Sequence, residues 1–157
     1  MKPLVSIIMG STSDLPVMEK AAEFFDKMEI PFEMLALSAH RTPRQVEEFA
    51  SQAKERGIKV IIAAAGMAAH LGGVIASLTT LPVIGVPIKT SALGGLDSLL
   101  SIVQMPSGIP VATMAIDGSK NAALYAISML ALQDEELAQK LEAFRRKQTE
   151  DVLKVEI

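Results

Sequence analysis

Short apolar runs alternate with amphipathic segments along this chain, and this alternation is the feature that most constrains its fold. The segments between the runs repeat apolar residues at helical spacing, for example Val46, Phe49, Ala50 and Ala53. The runs themselves have the length of strands and cover residues 4–9, 32–37, 59–65, 83–86 and 111–115. Strands separated by helices pair in parallel through right-handed crossovers. The sequence therefore predicts an α/β fold, a three-layer α/β/α sandwich around a parallel sheet.

The domain organisation is simple, because no linker or repeat interrupts the 157 residues. Segment 135–155 is different in character, with a thin apolar stripe on an otherwise charged helix. We expect a single α/β domain, residues 1–157, with a C-terminal helical extension over 132–157 that packs on its own subunit or on a neighbour. A helix predicted over 121–132 is apolar almost all round, which favours a homo-oligomer.

Composition argues against several classes of protein. The net charge is −3 and the basic residues cluster only in the C-terminal helix, so nucleic acid is not an expected partner. The chain has no cysteine, which excludes disulfides and cysteine metal sites. The first predicted strand begins close to Met1 and no apolar run is long enough to span a bilayer. We therefore expect a cytoplasmic protein without a membrane partner.

The segment Ser38-Ala39-His40-Arg41-Thr42-Pro43 carries the strongest chemical signal. It follows run 32–37, which is predicted to be a buried strand. Thr42 is the expected N-cap of the next helix, with Pro43 at the first helical position and Gln45 closing a capping box. His40 and Arg41 should then lie beyond the carboxyl end of a strand, where ligands bind in open α/β sheets.

The only other histidine, His70, also follows a predicted strand, in a loop of small residues at 66–73 before a helix predicted over 74–78. Either histidine could simply cap a helix, but two at one sheet edge beside Arg41 favour a functional site. Imidazole exchanges protons near neutral pH, so His40 is the candidate acid and base. No carboxylate lies within a few residues of either histidine, which disfavours a metal site.

The loop Gly10-Ser11-Thr12-Ser13-Asp14 offers hydroxyls and amide groups at a predicted helix start, a place that favours anions. Ser13 or Asp14 could simply cap the helix. The loop lacks the lysine of a Walker loop and the glycine spacing of a dinucleotide site. Arg41 suits a phosphate, and the carboxylate of Asp14 suits ribose hydroxyls. The residues alone thus predict an α/β domain that binds a small phosphorylated ligand.

Five separated motifs occur in chain order: Gly10-Ser11-x-Ser13-Asp14, Ser38 to Pro43, Ala68-Ala69-His70-Leu71, Gly85-Val86-Pro87 and Gly95 to Pro106. Together they resemble the N5-carboxyaminoimidazole ribonucleotide mutase family of de novo purine synthesis. The resemblance runs from Val5 to about Leu132. The branch that carboxylates aminoimidazole ribonucleotide directly with CO2 has lysine and glycine where this chain has Arg41 and Thr42, which favours the mutase branch.

The resemblance implies a flavodoxin-like fold, a homo-octamer with active sites at subunit boundaries, and transfer of a carboxylate from the exocyclic nitrogen to C4 of a ribonucleotide. No metal, ATP or biotin is implied as a cofactor. By motif, His40 would be the general acid and base, and Asp14 would hold the ribose. Ser11, Ser13 and Arg41 would hold the phosphate region, while Ser38, Gly66, His70 and Leu71 would line the base and carboxylate pocket.

The chain departs from this family at a few positions. Met67 stands where the family usually has glycine, and Gly72 where it usually has proline. The turn from Ile116 to Lys120 is not the usual alanine- and glycine-rich version.

Other functions remain possible on these residues. The nearest is a direct, CO2-dependent carboxylase, and the next is a non-catalytic module that binds a phosphoribosyl ligand. A flavin protein is disfavoured because the chain has no tryptophan and only 4% aromatic residues. A serine hydrolase is disfavoured because no Gly-x-Ser-x-Gly elbow occurs.

Overall fold

A five-stranded parallel sheet forms the centre of the computed structural model, which describes all residues from Met1 to Ile157. The strands are β1 (Val5–Met9), β2 (Phe32–Ala36), β3 (Val60–Ala65), β4 (Val83–Pro87) and β5 (Ala112–Thr113). The helices are α1 (Leu15–Lys27), α2 (Pro43–Ala53), α3 (Leu71–Leu78), α4 (Leu96–Val103), α5 (Ser119–Leu130) and α6 (Glu135–Leu153). Single 3-10 turns lie at Thr12–Asp14 and Ala131–Gln133.

The strand order β2-β1-β3-β4-β5, with every pairing parallel, confirms the predicted flavodoxin-like sandwich. In β1, Val5 pairs with Phe32 of β2 on one side and with Val60 of β3 on the other. Because successive side chains of a strand point to opposite faces, the sheet contributes residues to two separate apolar cores, one on each face. One lies under α1 and α5 and includes Ile7, Ile62, Phe25 and Ile127. The other lies under α2 and α3 and includes Ile8, Ile61, Val46 and Ile75.

Some predicted elements differ from the structure. β2 is not a buried strand: it lies at the edge of the sheet, pairs only with β1, and its residues are half-buried or exposed. The helix predicted over 74–78 begins three residues earlier, at Leu71, because Gly72 and Gly73 adopt helical conformation rather than loop. β5 has only two residues instead of the five predicted, since only Ala112 and Thr113 pair with β4.

The C-terminal helix α6 packs on its own chain over its first half. Leu137 is buried, and Phe144 packs edge-on against Phe24 of α1 with ring centroids 5.1 Å apart. The last turn leaves this core, and Val152 of the predicted stripe is 71% exposed. None of the helices combines the length and apolar character required to cross a membrane.

Candidate active site

The loops that follow β1, β2, β3 and β4 surround one cleft of about 560 Å³ at the carboxyl edge of the sheet. All of the site residues selected from the sequence line this cleft: Ser11, Ser13, Asp14, Ser38, His40, Arg41, Gly66, His70 and Leu71. They come from three different loops, and the parallel topology brings the loops to the same edge.

The two histidines are hydrogen-bonded to each other. Nε2 of His40 lies 2.8 Å from Nδ1 of His70, and the two rings meet edge to face. His70 occupies the N-cap position of α3, but its side chain makes no capping bond. One of the two facing nitrogens must donate and the other must accept, so in this geometry at most one of the rings can be an imidazolium. The pair is therefore a shared proton site open to the cleft.

The turn that presents His40 is closed by Thr42 rather than by a capping box. The Thr42 hydroxyl donates to the carbonyl oxygen of Ser38 and accepts the amide N–H of the same residue, at 3.0 and 2.8 Å. Thr42 is the N-cap of α2 and Pro43 is the first helical residue, as predicted, but no capping hydrogen bond forms from the side chain. The predicted box with Gln45 is wrong because the hydroxyl is already engaged with Ser38. The two hydrogen bonds between Thr42 and Ser38 hold His40 and Arg41 at the tip of the turn.

Arg41 reaches across the cleft to the loop after β1. Its terminal guanidinium nitrogen donates to the carbonyl oxygen of Gly10 at 2.8 Å, and its Nε lies 3.3 Å from Oγ of Ser38. No salt bridge engages the guanidinium. A planar cation held at a cleft wall without a carboxylate partner is suited to an anionic group of a ligand.

The loop after β1 is organised by Ser11, not by Ser13 or Asp14. The Ser11 hydroxyl oxygen accepts the amide N–H of Ser13 at 3.2 Å and the Ser13 hydroxyl at 2.9 Å, which caps the 3-10 turn. Asp14 precedes α1 but makes no capping bond, and it is 7% exposed. Burial raises the pKa of the Asp14 carboxyl above its ordinary value. A hydrogen bond with the Ser11 backbone opposes the rise, Asp117 adds to it, and Arg41 opposes it.

Sequence reasoning missed the wall that follows β4. Thr90 and Ser91 line the cleft, together with Met67 and Ala68 from the loop after β3. Gly95 is the N-cap of α4, and the Asp97 carboxylate accepts the Thr90 hydroxyl at 2.7 Å. The signal that could have found Thr90 and Ser91 is their position directly after a strand, the same signal that selected His40 and His70.

The structure shows no grouping of three or more histidine, cysteine, aspartate or glutamate side chains that could hold a metal ion. The side chains that face the cleft are instead two imidazoles, one guanidinium, one carboxylate and several hydroxyls. Such a set can bind a phosphate and sugar hydroxyls and can move protons.

Comparisons with known proteins match nearly the whole chain. Residues 4–151 match the family model described as AIR carboxylase. A Pyrococcus horikoshii protein named N5-carboxyaminoimidazole ribonucleotide mutase is 63% identical over 145 residues, which are 92% of this chain and 82% of that protein. The chain also matches a Saccharomyces cerevisiae protein named phosphoribosylaminoimidazole carboxylase, at 57% identity over 97% of this chain and 27% of that protein.

Among solved structures, the crystal structure of Treponema denticola PurE superimposes with a TM-score of 0.88 at 29% identity. The match covers 96% of this chain and 94% of that one. The fold is thus shared with that protein, the family model covers nearly the whole chain, and the chain belongs to the AIR carboxylase family.

Proposed function

We propose that this protein is a mutase that converts N5-carboxyaminoimidazole ribonucleotide to 4-carboxy-5-aminoimidazole ribonucleotide, with His40 as general acid and base. The observation that carries the proposal is the hydrogen-bonded His40–His70 pair in the same cleft as the guanidinium of Arg41, which has no carboxylate partner. Proton transfer and anion recognition are the two tasks that such a substrate requires. The names of close relatives and the resemblance in the motifs support the same reaction.

The residues proposed to bind the substrate form two groups, one for the phosphate and ribose and one for the base and the migrating carboxylate. Arg41, Ser11 and Ser13 would bind the phosphate, and the carboxylate of Asp14 would accept the ribose hydroxyls. Ser38, Gly66, His70 and Leu71 would line the space for the imidazole base and the migrating carboxylate. Leu71 is buried and Gly66 carries no side chain, so this end can hold a small uncharged molecule such as CO2 close to the base.

The reaction needs one group that gives and then takes a proton. The His40 imidazolium donates its proton to the carbamate nitrogen, the N–C bond breaks, and CO2 and aminoimidazole ribonucleotide form. C4 of the electron-rich ring then attacks CO2, and the new C–C bond leaves C4 carrying one hydrogen too many. Neutral His40 removes that proton, which restores both the aromatic ring and the imidazolium.

His70 would act through His40. A neutral His70 whose Nδ1 accepts the His40 N–H stabilises the His40 imidazolium and fixes the orientation of its ring. The His40 imidazolium carries a second proton on Nδ1, so the hydrogen bond to His70 stays in place if that proton moves to the substrate and is exchanged only if the Nε2 proton moves. This makes His70 a positioning residue, and His40 the catalytic one.

The proposal is tested with N5-carboxyaminoimidazole ribonucleotide as substrate, in buffer without ATP, biotin or added metal. We expect wild type to form the C4-carboxylated isomer. We expect His40→Asn to bind substrate while losing at least about a hundredfold in kcat, the usual contribution of a general acid and base. His70→Asn should lose less, on the order of tenfold, as an orienting partner does. Conversion by His40→Asn at the wild-type rate would refute the assigned role.

A direct carboxylase on the same scaffold is the competing function, because the yeast relative carries a carboxylase name. The two are separated by the substrate and by bicarbonate. A mutase uses the carbamate and gains nothing from added bicarbonate, whereas a carboxylase uses aminoimidazole ribonucleotide at a rate that rises with bicarbonate. A phosphoribosyl-binding module without activity would bind the ribonucleotide and convert neither.

We also propose that the protein forms a homo-octamer and works in the cytoplasm. The octamer follows from the family resemblance. It is supported by exposed leucines in and just before α4, where Leu93, Leu96 and Leu100 are 62%, 52% and 47% exposed. Light scattering should give a mass near eight chains, and a monomer would contradict the proposal. The cytoplasmic location rests on the biosynthetic reaction, and cell fractionation would test it.

A further inference from the structure

Asp117 lies outside the cleft, but it is bonded to the strand that carries one of the cleft walls. Its carboxylate accepts the amide N–H of Lys89 at 2.9 Å, and its own amide N–H donates to the carbonyl oxygen of Pro87 at 2.8 Å. Lys89 is followed directly by Thr90 and Ser91, which line the cleft. A single residue thus holds the end of β4 at two points.

These two bonds replace missing sheet pairing. β5 pairs only with Ile84 and Gly85, so the side of β4 that faces β5 has no strand beside it beyond Gly85, whereas β3 continues along the other side. Pro87 and Lys89 are two positions apart and therefore present backbone groups to the same edge. Asp117 supplies the donor for one and the acceptor for the other, as a longer β5 would have done.

The backbone conformation of Asp117 makes this possible. Asp117 has φ of 58°, in the left-handed region that glycine adopts without cost and that aspartate and asparagine tolerate better than other residues. A glycine here would keep the turn but would have no acceptor for Lys89. The turn is also anchored to the first helix, because the Ser119 hydroxyl donates to the carbonyl oxygen of Val17 at 2.6 Å.

We propose that Asp117 is a positioning residue for substrate binding, which fixes the Lys89–Ser91 wall of the cleft and places a negative charge near Asp14. Within the wall, Thr90 accepts the amide N–H of Gly95 at 3.1 Å and donates to Asp97. On the side of β3 the wall is tied through Ile88, whose amide N–H donates to Ala65 and whose carbonyl oxygen accepts the Ser98 hydroxyl. The bonds to Asp117 hold the opposite side. This inference builds on the proposed mutase function, because the substrate is the one named above.

The charge of Asp117 has a separate effect on Asp14. The charged groups near the Asp14 carboxyl are Asp117 from the β5–α5 turn and Arg41 from the β2–α2 loop, and the imidazoles of His40 and His70 share the cleft. Burial is the main cause of the raised Asp14 pKa, and Asp117 adds to it. Removal of the Asp117 charge therefore lowers the pH at which Asp14 ionises.

Two variants separate the two effects. Asp117→Gly keeps the left-handed turn but removes both the acceptor and the charge. We expect it to raise KM about fivefold, the equivalent of one hydrogen bond, with kcat within about twofold of wild type. Asp117→Asn keeps an acceptor oxygen and tolerates the same φ, so its KM at pH 7 should stay near the wild-type value. Both variants should move the acidic limb of kcat/KM to lower pH.

Glu29 offers a matched control, because its φ is 59° and it lies between α1 and β2, at the other end of the sheet. Glu29→Gly and Glu29→Asn should change neither KM nor the pH profile. Wild-type KM in Asp117→Gly, or an unmoved acidic limb in Asp117→Asn, would overturn the inference.

Amide hydrogen exchange tests, independently of activity, whether Asp117 holds the end of β4. The Lys89 amide should be protected in wild type and in Asp117→Asn, and should exchange faster in Asp117→Gly. If wild type fails to convert the substrate, the proposed function fails, while the exchange result still decides the role of Asp117. Equal protection of the Lys89 amide in all three proteins would refute the proposal that Asp117 holds the end of β4.

Discussion

Gly85 of β4 is a position where a single methyl group should measurably destabilise the protein. A Cβ added there would lie 2.4 Å from Cγ2 of Ile102 in α4 and 3.1 Å from Cγ1 of Val111. Ordinary contacts begin near 3.4 Å, so Ile102 would have to move by roughly 1 Å. Ile102 is 2% exposed, so this movement would take place within the packed core.

This overlap allows the loss in the free energy of unfolding to be worked out. Overpacking of a buried site costs about 1–3 kcal/mol, and alanine recovers about 0.5–1 kcal/mol relative to glycine inside a strand. We expect Gly85→Ala to lower the free energy of unfolding by about 1–2 kcal/mol and Tm by about 2–8 °C for a chain of this size. The substitution should also disturb the cleft, because α4 carries the Asp97 that binds Thr90.

Thermal unfolding followed by circular dichroism checks this, with Ile102→Leu as the companion variant. Leucine lacks the Cγ2 methyl that causes the closest contact but keeps the side-chain volume. The double variant should therefore recover about half or more of the loss in Tm. An unchanged or higher Tm in Gly85→Ala, or no recovery in the double variant, would refute the packing argument.

Three further predictions concern the cleft and the C-terminal helix. Asp14→Asn should stabilise the protein at pH 7. Because the folded-state pKa of Asp14 is raised, wild type loses stability as the pH rises above its ordinary value of 3.8, and urea unfolding should show the gain vanish below that pH. Arg41→Lys should raise KM about tenfold, because the lysine ammonium cannot donate to Gly10 and bind an anion of the substrate with the geometry of the planar guanidinium. An unchanged KM in steady-state kinetics would contradict this. Phe144→Ala should cost about 2 kcal/mol by removing the contact with Phe24, and the whole chain should still unfold in one transition. A separate early transition of α6 would show that the helix is not part of the same cooperative unit.

Much of the fold could be predicted because its causes are local. Each strand run and each helix face is visible in the spacing of apolar residues, and the alternation of strands and helices leaves a parallel sandwich as the simplest arrangement. The loops at the carboxyl edge could be selected for the same reason, since parallel topology brings every strand end to one place. His40, Arg41, Asp14 and His70 could therefore be placed in one cleft before their contacts were known.

The predictions that were wrong concern a side chain with more than one available partner and a strand with more than one available position in the sheet. Thr42 has the sequence of a capping box, but its hydroxyl oxygen accepts the amide N–H of Ser38 instead of that of Gln45, and no local pattern decides between these two donors. β2 has a composition like that of an inner strand and lies at an edge, because strand order follows from the crossovers and not from the strand itself.

The layers of this protein, the edge at which its chemistry lies and the residue types at that edge follow from local patterns in the chain. Which of those residues touch each other follows from the folded arrangement of the loops. The bond between His40 and His70 joins positions 30 residues apart, and the bond from Asp117 to Lys89 joins positions 28 apart. Such contacts depend on strand register and on how far each loop extends, because a shift of one residue moves a side chain to the other face of the sheet.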